Sequence, residues 1–214
     1  MVTQSEALAP AAPEVADVDA LARLLAMVLP GETAPLAQTV IRRFGSYPAA
    51  LSAPVRELRT VPGLGTHSIA AIKLVHAAAV RLARAGVMDR VVLDNMDRLV
   101  AYLTAVLARE RIEQFRILFL DGQNRLVGDE AQARGTVNHT PVYPREVVRR
   151  ALELRAAAIV LVHNHPSGDP TPSAADVEMT NRVAEAAELL GIEVRDHVII
   201  GNGRWFSFRQ EELL

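Results

Sequence analysis

The sequence predicts an α/β (α+β) fold: a C-terminal mixed sheet flanked by helices, preceded by a small all-α domain. Three observations carry this. From residue 94 onward, strand-like runs are interleaved with amphipathic helical stretches, the pattern of helices laid against a sheet. Between residues 17 and 86 the apolar-periodic stretches all read as helices. The apolar run 157–162 reads as a buried strand, and it closes on His163-Asn164-His165.

Bulk properties bound the function. A chain of 214 residues, half of them hydrophobic, holds one or two domains with ample core. A net charge of −2 gives no general field for a polyanion. There is no cysteine, which excludes disulfides and thiolate metal sites and is neutral on redox compartment. The first residues lack a basic segment and an apolar core, so no signal peptide is expected. No 18-residue apolar run suggests a membrane span, and a cytoplasmic location is expected. Lys73 is the only lysine, for which there is no functional account.

Residues 1–16 are rich in Ala and Pro and are expected to be disordered. The helical domain is expected over 17–86. Asp17-Val18-Asp19 opens a helix over 20–29, and Pro30-Gly31 stops it. A second helix covers 34–44 and ends at Gly45; 47–51 is a short turn or helix, and 55–58 another short helix. Val61-Pro62-Gly63-Leu64-Gly65 then leads into a long helix over 67–85. Gly63 and Gly65 allow a tight turn whose backbone N–H groups, at a helix N-terminus, can hold a phosphate. The alternative is a hairpin that only packs helices, and the near balance of acidic and basic residues over 1–91 argues against strong phosphate binding.

Residues 87–93 read as a linker before a domain over 94–214. Asp94 or Asn95 caps a helix to Arg109, with Leu99, Leu103, Val106 and Leu107 on its apolar face. Strands over 113–121 and 125–136 form a hairpin around Asp121-Gly122. Pro144 opens a helix to 154. After the 157–162 strand, a helix over 173–190 is stopped by Gly191. Strands over 192–200 and 204–208 flank Gly201-Asn202-Gly203.

Chemistry concentrates after the 157–162 strand. Side chains alternate along a strand, so His163 and His165 share a face. Pro166 ends the strand, and the Pro/Gly/Asp-rich stretch to Pro172 turns. Ser173 N-caps the next helix and places Asp176 in its first turn, back toward the histidines. Two imidazoles and one carboxylate are a three-ligand zinc set with a fourth position open. Asp169 or Asp196 can take the far N–H of a metal-bound imidazole. His139 and His197 are secondary, His197 reading as a packed strand-end residue.

His-x-His, seven residues, then Ser-x-x-Asp resembles the JAMM (MPN+) motif of zinc metalloproteases and isopeptidases. The wording His163-Asn164-His165-Pro166-Ser167-Gly168-Asp169-Pro170-Thr171-Pro172-Ser173 resembles the bacterial RadC (UPF0758) family more closely. The likeness extends to Arg134-Gly135-Thr136-Val137-Asn138-His139, to Pro144-Arg145-Glu146 and to Asp196-His197-Val198-Ile199-Ile200-Gly201, so it covers residues 95–214 best. The resemblance implies a cytidine-deaminase-like layout, one zinc ion per chain, and amide or isopeptide cleavage of a peptide substrate. It implies Glu113 as general base and Ser173 as an oxyanion stabiliser; Glu130, on the partner strand, is the rival base by its position in the sequence. It also implies a helix-hairpin-helix at residues 61–85 that binds DNA weakly.

The leading expectation is a zinc-dependent hydrolase. A zinc deaminase is disfavoured because such sites use a Cys-x-x-Cys pair. The non-enzyme alternative is a DNA-repair or recombination accessory with a structural or inactive metal site; an open coordination position and Glu113 discriminate against it.

Overall fold

The structure, a computed structural model, describes residues 15–88, 91, 96–107, 110, 112–134 and 142–214. Of the stretch 1–16 expected to be disordered, residues 1–14 lie outside these, while Val15 and Ala16 are helical; the caps Asp94 and Asn95, the helix end at Arg109, the strand end at Thr136 and the position of His139 also lie outside. The chain divides into two compact units, residues 1–78 and 79–214.

The first unit is helical: α1 (Val15–Ala26), α2 (Ala34–Phe44), α3 (Tyr47–Ser52), α4 (Val55–Leu58) and the start of α5 (Thr66–Ala85). Leu21, Leu25, Val40, Ile41, Leu58 and Ile72 form its core. Asp17 Oδ2 accepts from the Tyr47 amide at 2.9 Å, tying α1 to α3. The turn before α5 puts Gly63 at φ +90°, with Leu36 Cδ1 3.2 Å from where a Cβ would stand. Lys73, the one lysine, donates to the Leu51 and Ala53 carbonyls at 2.9 and 3.1 Å. Its ammonium thus satisfies carbonyls at the C-terminal end of α3, which a helix leaves open.

The second unit continues with α6 (Met96–Leu107), β1 (Gln114–Leu120), β2 (Leu126–Arg134), α7 (Pro144–Glu153), β3 (Ala158–Asn164), α8 (Ala174–Glu188), β4 (Glu193–Ile200) and β5 (Trp205–Ser207). Within the stretch expected as a linker, Val87 is buried in this unit's core, and Met88 and Val91 bridge to Leu126 and Arg125. The sheet order is β2-β1-β3-β4-β5, with β3 and β4 parallel and the other neighbouring strands antiparallel. It is therefore mixed, as expected.

Strand alternation builds three layers. Leu118, Leu120, Val160, Val162, Val198 and Ile200 face α6. Phe115, Ile117, Phe119, Ile159 and Leu161 face α7 and α8. Slipping β1 by one residue would exchange these faces. Arg116 pins the register. On the α6 face it donates from Nε and Nη2 to Asp129 Oδ1 at 3.0 and 2.7 Å, and Asp129 Oδ2 accepts from the Tyr102 hydroxyl. Burial, then the Asp129 contact, push the Tyr102 hydroxyl far above its usual pKa, so it remains a donor.

Candidate metal centre

β3 is buried throughout and delivers the histidines at its C-terminal end, beside β1 on one edge and β4 on the other. His165 follows the strand, and its amide donates to the Ile200 carbonyl at 3.0 Å. The loop then turns at Gly168, with φ +85°. It lies so close to the β4–β5 turn that a Cβ on Gly201 would stand 2.3 Å from the Gly168 carbonyl oxygen. Ser173 and Asp176 form a capping box at the start of α8. Asp176 Oδ2 accepts from the Ser173 amide and hydroxyl, both at 2.7 Å. Its Oδ1 lies 3.3 Å from His163 Nε2, and its Oδ2 3.5 Å from His165 Nε2.

The two Nε2 atoms are 2.9 Å apart. His165 Nδ1 meets the Asp169 carbonyl oxygen at 2.8 Å. A carbonyl only accepts, so Nδ1 carries a proton, and in the neutral imidazole His165 Nε2 presents a lone pair. Asp169 thus orients His165, through its backbone rather than its carboxylate. The donor set fits a divalent cation. Two imidazole nitrogens and a carboxylate oxygen lie within 4.8 Å of one another, and no other such group of three occurs among the described residues. His163 is 1 % exposed, while the side chains of His165 and Asp176 are 15 % exposed, so the site opens on one side only.

Burial alone would raise the Asp176 pKa. The facing imidazoles and Ser173 outweigh it and hold the carboxyl well below the usual carboxylate range. The same contact with Asp176 raises the His165 pKa, against burial, with a further contribution from the charge of Glu113.

Glu113 immediately precedes β1 rather than beginning it. Phe115 pairs with His163, so Glu113, two residues earlier, lies at the His163 end of the β1–β3 pair, and its charge acts on His165. Glu130 is elsewhere. It lies on β2 opposite Ile117, and Ile117 pairs with Leu161, so Glu130 is two strands from β3 and set back from the histidines. Its carboxylate is engaged by Arg150 of α7, with Nε donating to Oε2 at 2.8 Å. The Arg150 hydrogen bond holds Glu130 below its usual pKa.

Asp196 corrects an expectation. Its carboxylate accepts from the His197 and Arg209 amides at 2.7 and 3.1 Å and from the Ser207 hydroxyl at 2.6 Å. It therefore anchors the β4–β5 end and does not touch the His163 or His165 imidazole. His197 is buried as expected, but its Nε2 contacts His163 Nδ1 at 2.8 Å.

Asn164, between His163 and His165, escaped the sequence reading. Its side chain points away from them. Oδ1 accepts from the Gln114 amide at 2.9 Å, and Nδ2 donates to the Glu110 and Ile112 carbonyls at 3.1 and 3.3 Å. One buried amide thus holds the backbone on both sides of Glu113. The signal was available: an amide closing a wholly apolar strand must find partners.

A family model described as "RadC-like JAB domain" matches residues 93–213. A UPF0758 protein of Rhodobacter capsulatus is 51% identical over 199 residues, covering 92% of this chain and 93% of the relative. A UPF0758 protein of Ruegeria pomeroyi is 51% identical over 180 residues, covering 84% of this chain and 80% of that one.

Proposed function

The chain belongs to the RadC-like JAB domain family, and from that premise we propose that it is a zinc-dependent hydrolase that cleaves an amide or isopeptide bond. The observation that carries the reading is the convergence of His163, His165 and Asp176 at a half-open site, with Glu113 near enough for its charge to act on His165. The amide preference comes from the family likeness; the ligand set alone suits any zinc hydrolase.

His163, His165 and Asp176 would hold the ion. When bound, zinc supplies a Lewis acid that polarises a carbonyl oxygen and acidifies water. Glu113 accepts the proton of the attacking water and returns it to the leaving amine. Its carboxylate suits this role better than that of Glu130, which Arg150 neutralises away from the site. Ser173 has one hydroxyl proton, which it donates in a hydrogen bond to Asp176 Oδ2. To donate to an oxyanion the hydroxyl must rotate, and Asp176 Oδ2 then keeps the Ser173 amide.

Purified protein is expected to hold about one zinc per chain, and His163→Ala or Asp176→Ala to lose most of it. In a screen of amide and isopeptide substrates, Glu113→Gln should keep the zinc and the fold while losing about 10²–10⁴-fold in rate. Retention of wild-type zinc by both ligand variants would refute the site; an undiminished rate for Glu113→Gln would refute the base.

A further inference from the structure

We propose that Thr180 and His197 are positioning residues for the cation site. Together they form a buried relay that decides which nitrogen of His163 carries the proton. The inference rests on the metal-holding part of the reading above and adds two residues to it.

His197, on β4, is fully buried, and its ring lies beside that of His163 with centroids 4.9 Å apart. Its Nε2 is 2.8 Å from His163 Nδ1. Its Nδ1 is 2.6 Å from the Thr180 hydroxyl. That hydroxyl is also 2.6 Å from the backbone carbonyl oxygen of Asp176, one helical turn earlier. The carbonyl only accepts and the hydroxyl has one proton, so donation to Asp176 makes the Thr180 oxygen an acceptor. His197 must then donate from Nδ1, which leaves its Nε2 bare. The bare Nε2 accepts from His163 Nδ1–H. The Nε2 of His163 is thereby a lone pair, aimed at His165 Nε2 and Asp176 Oδ1.

Rotating the hydroxyl the other way breaks its bond to the Asp176 carbonyl and reverses the two imidazole bonds. Thr180 would donate to His197 Nδ1, His197 to His163 Nδ1, and a proton would lie on His163 Nε2, among the ligand atoms. That arrangement excludes a cation. The direction of one buried hydroxyl therefore favours or opposes metal binding. Helical spacing explains the economy of the design: residues i and i+4 share a face, so α8 delivers the carboxylate ligand and the orienting hydroxyl together.

The test is zinc affinity of the full chain, measured by competition with a chromophoric chelator, with circular dichroism melts to verify folding. Thr180→Val preserves shape and removes the hydroxyl, while Thr180→Ser preserves the hydroxyl and loses a methyl. The relay predicts that Thr180→Val binds zinc about 10–100-fold more weakly and that Thr180→Ser stays near wild type, the usual scale for a group orienting a ligand histidine. A pure packing role predicts the reverse order. A second measurement is ring-¹⁵N NMR of the zinc-loaded wild type, in which His197 should carry its proton on Nδ1. If Thr180→Val does not fold, this spectrum decides by itself, and an Nε2–H His197 overturns the proposal. Wild type that binds no zinc would refute the metal reading and the relay together. Wild type that binds zinc while Thr180→Val binds it equally well would refute the relay alone.

Discussion

Asn164→Ala removes the side chain that fastens the residues around Glu113 to the metal strand. Three hydrogen bonds are lost, at 2.9, 3.1 and 3.3 Å, and the residue is 1 % exposed. Each is worth about 0.5–1.5 kcal/mol net, about 1.5–4.5 kcal/mol for the three, so a loss of about 2–4 kcal/mol is expected. For a domain of this size that corresponds to a fall of roughly 6–12 °C in melting temperature. Zinc content should persist, because neither His163 nor His165 depends on the amide. The rate should fall far more than the zinc, since a misplacement of about 1 Å in a reacting group can cost about 10²-fold. Asn164→Asp separates the contributions: it keeps an acceptor for Gln114 but turns a carboxylate toward the Glu110 and Ile112 carbonyls, so it should not rescue. The assays are a circular dichroism melt, zinc analysis and a rate on any substrate the wild type cleaves. A variant that melts within about 2 °C of wild type would show that the clamp contributes little, against the hydrogen-bond reasoning.

Further outcomes are expected. Gly201→Ala drives a methyl into the Gly168 carbonyl, 2.3 Å away, and so displaces the loop behind His165; it should cost about 1–3 kcal/mol and weaken zinc retention, and unchanged zinc retention would count against that loop's role. Glu130 has a folded-state pKa below its unfolded value because of Arg150, so its contribution to stability is present above about pH 4.3 and is lost as pH falls through the folded value. Glu130→Gln should therefore flatten the acid limb of a stability-versus-pH curve and leave the rate at neutral pH nearly unchanged; a large loss of rate would return Glu130 to the catalytic role. We also propose that the 61–65 hairpin binds DNA weakly, without sequence preference and with steep salt dependence. A full-length chain that gives no DNA shift at low salt would reduce the hairpin to a packing element.

The sequence by itself determined the local chemistry. Alternation put His163 and His165 on one face, and Ser173 with Asp176 spelled a helix cap that returns a carboxylate; both depend on neighbours within 14 residues. The mixed sheet was equally legible, because apolar runs of strand length stood between helical repeats. What only the tertiary structure decided was everything set by strand order. Glu113 and Glu130 are both acids on one hairpin, and local pattern cannot rank them. The β1–β3 register brings the first to the His163 end of the sheet, while Arg150, from a helix across the sheet face, neutralises the second. Thr180 reads as an unremarkable helix residue and His197 as strand-end packing. They gain their partners because β3 and β4 pair in parallel and α8 crosses between them, which joins residues 163, 180 and 197 through hydrogen bonds. Such contacts depend on a register that loop closure and core packing choose jointly, and no window along the chain contains it.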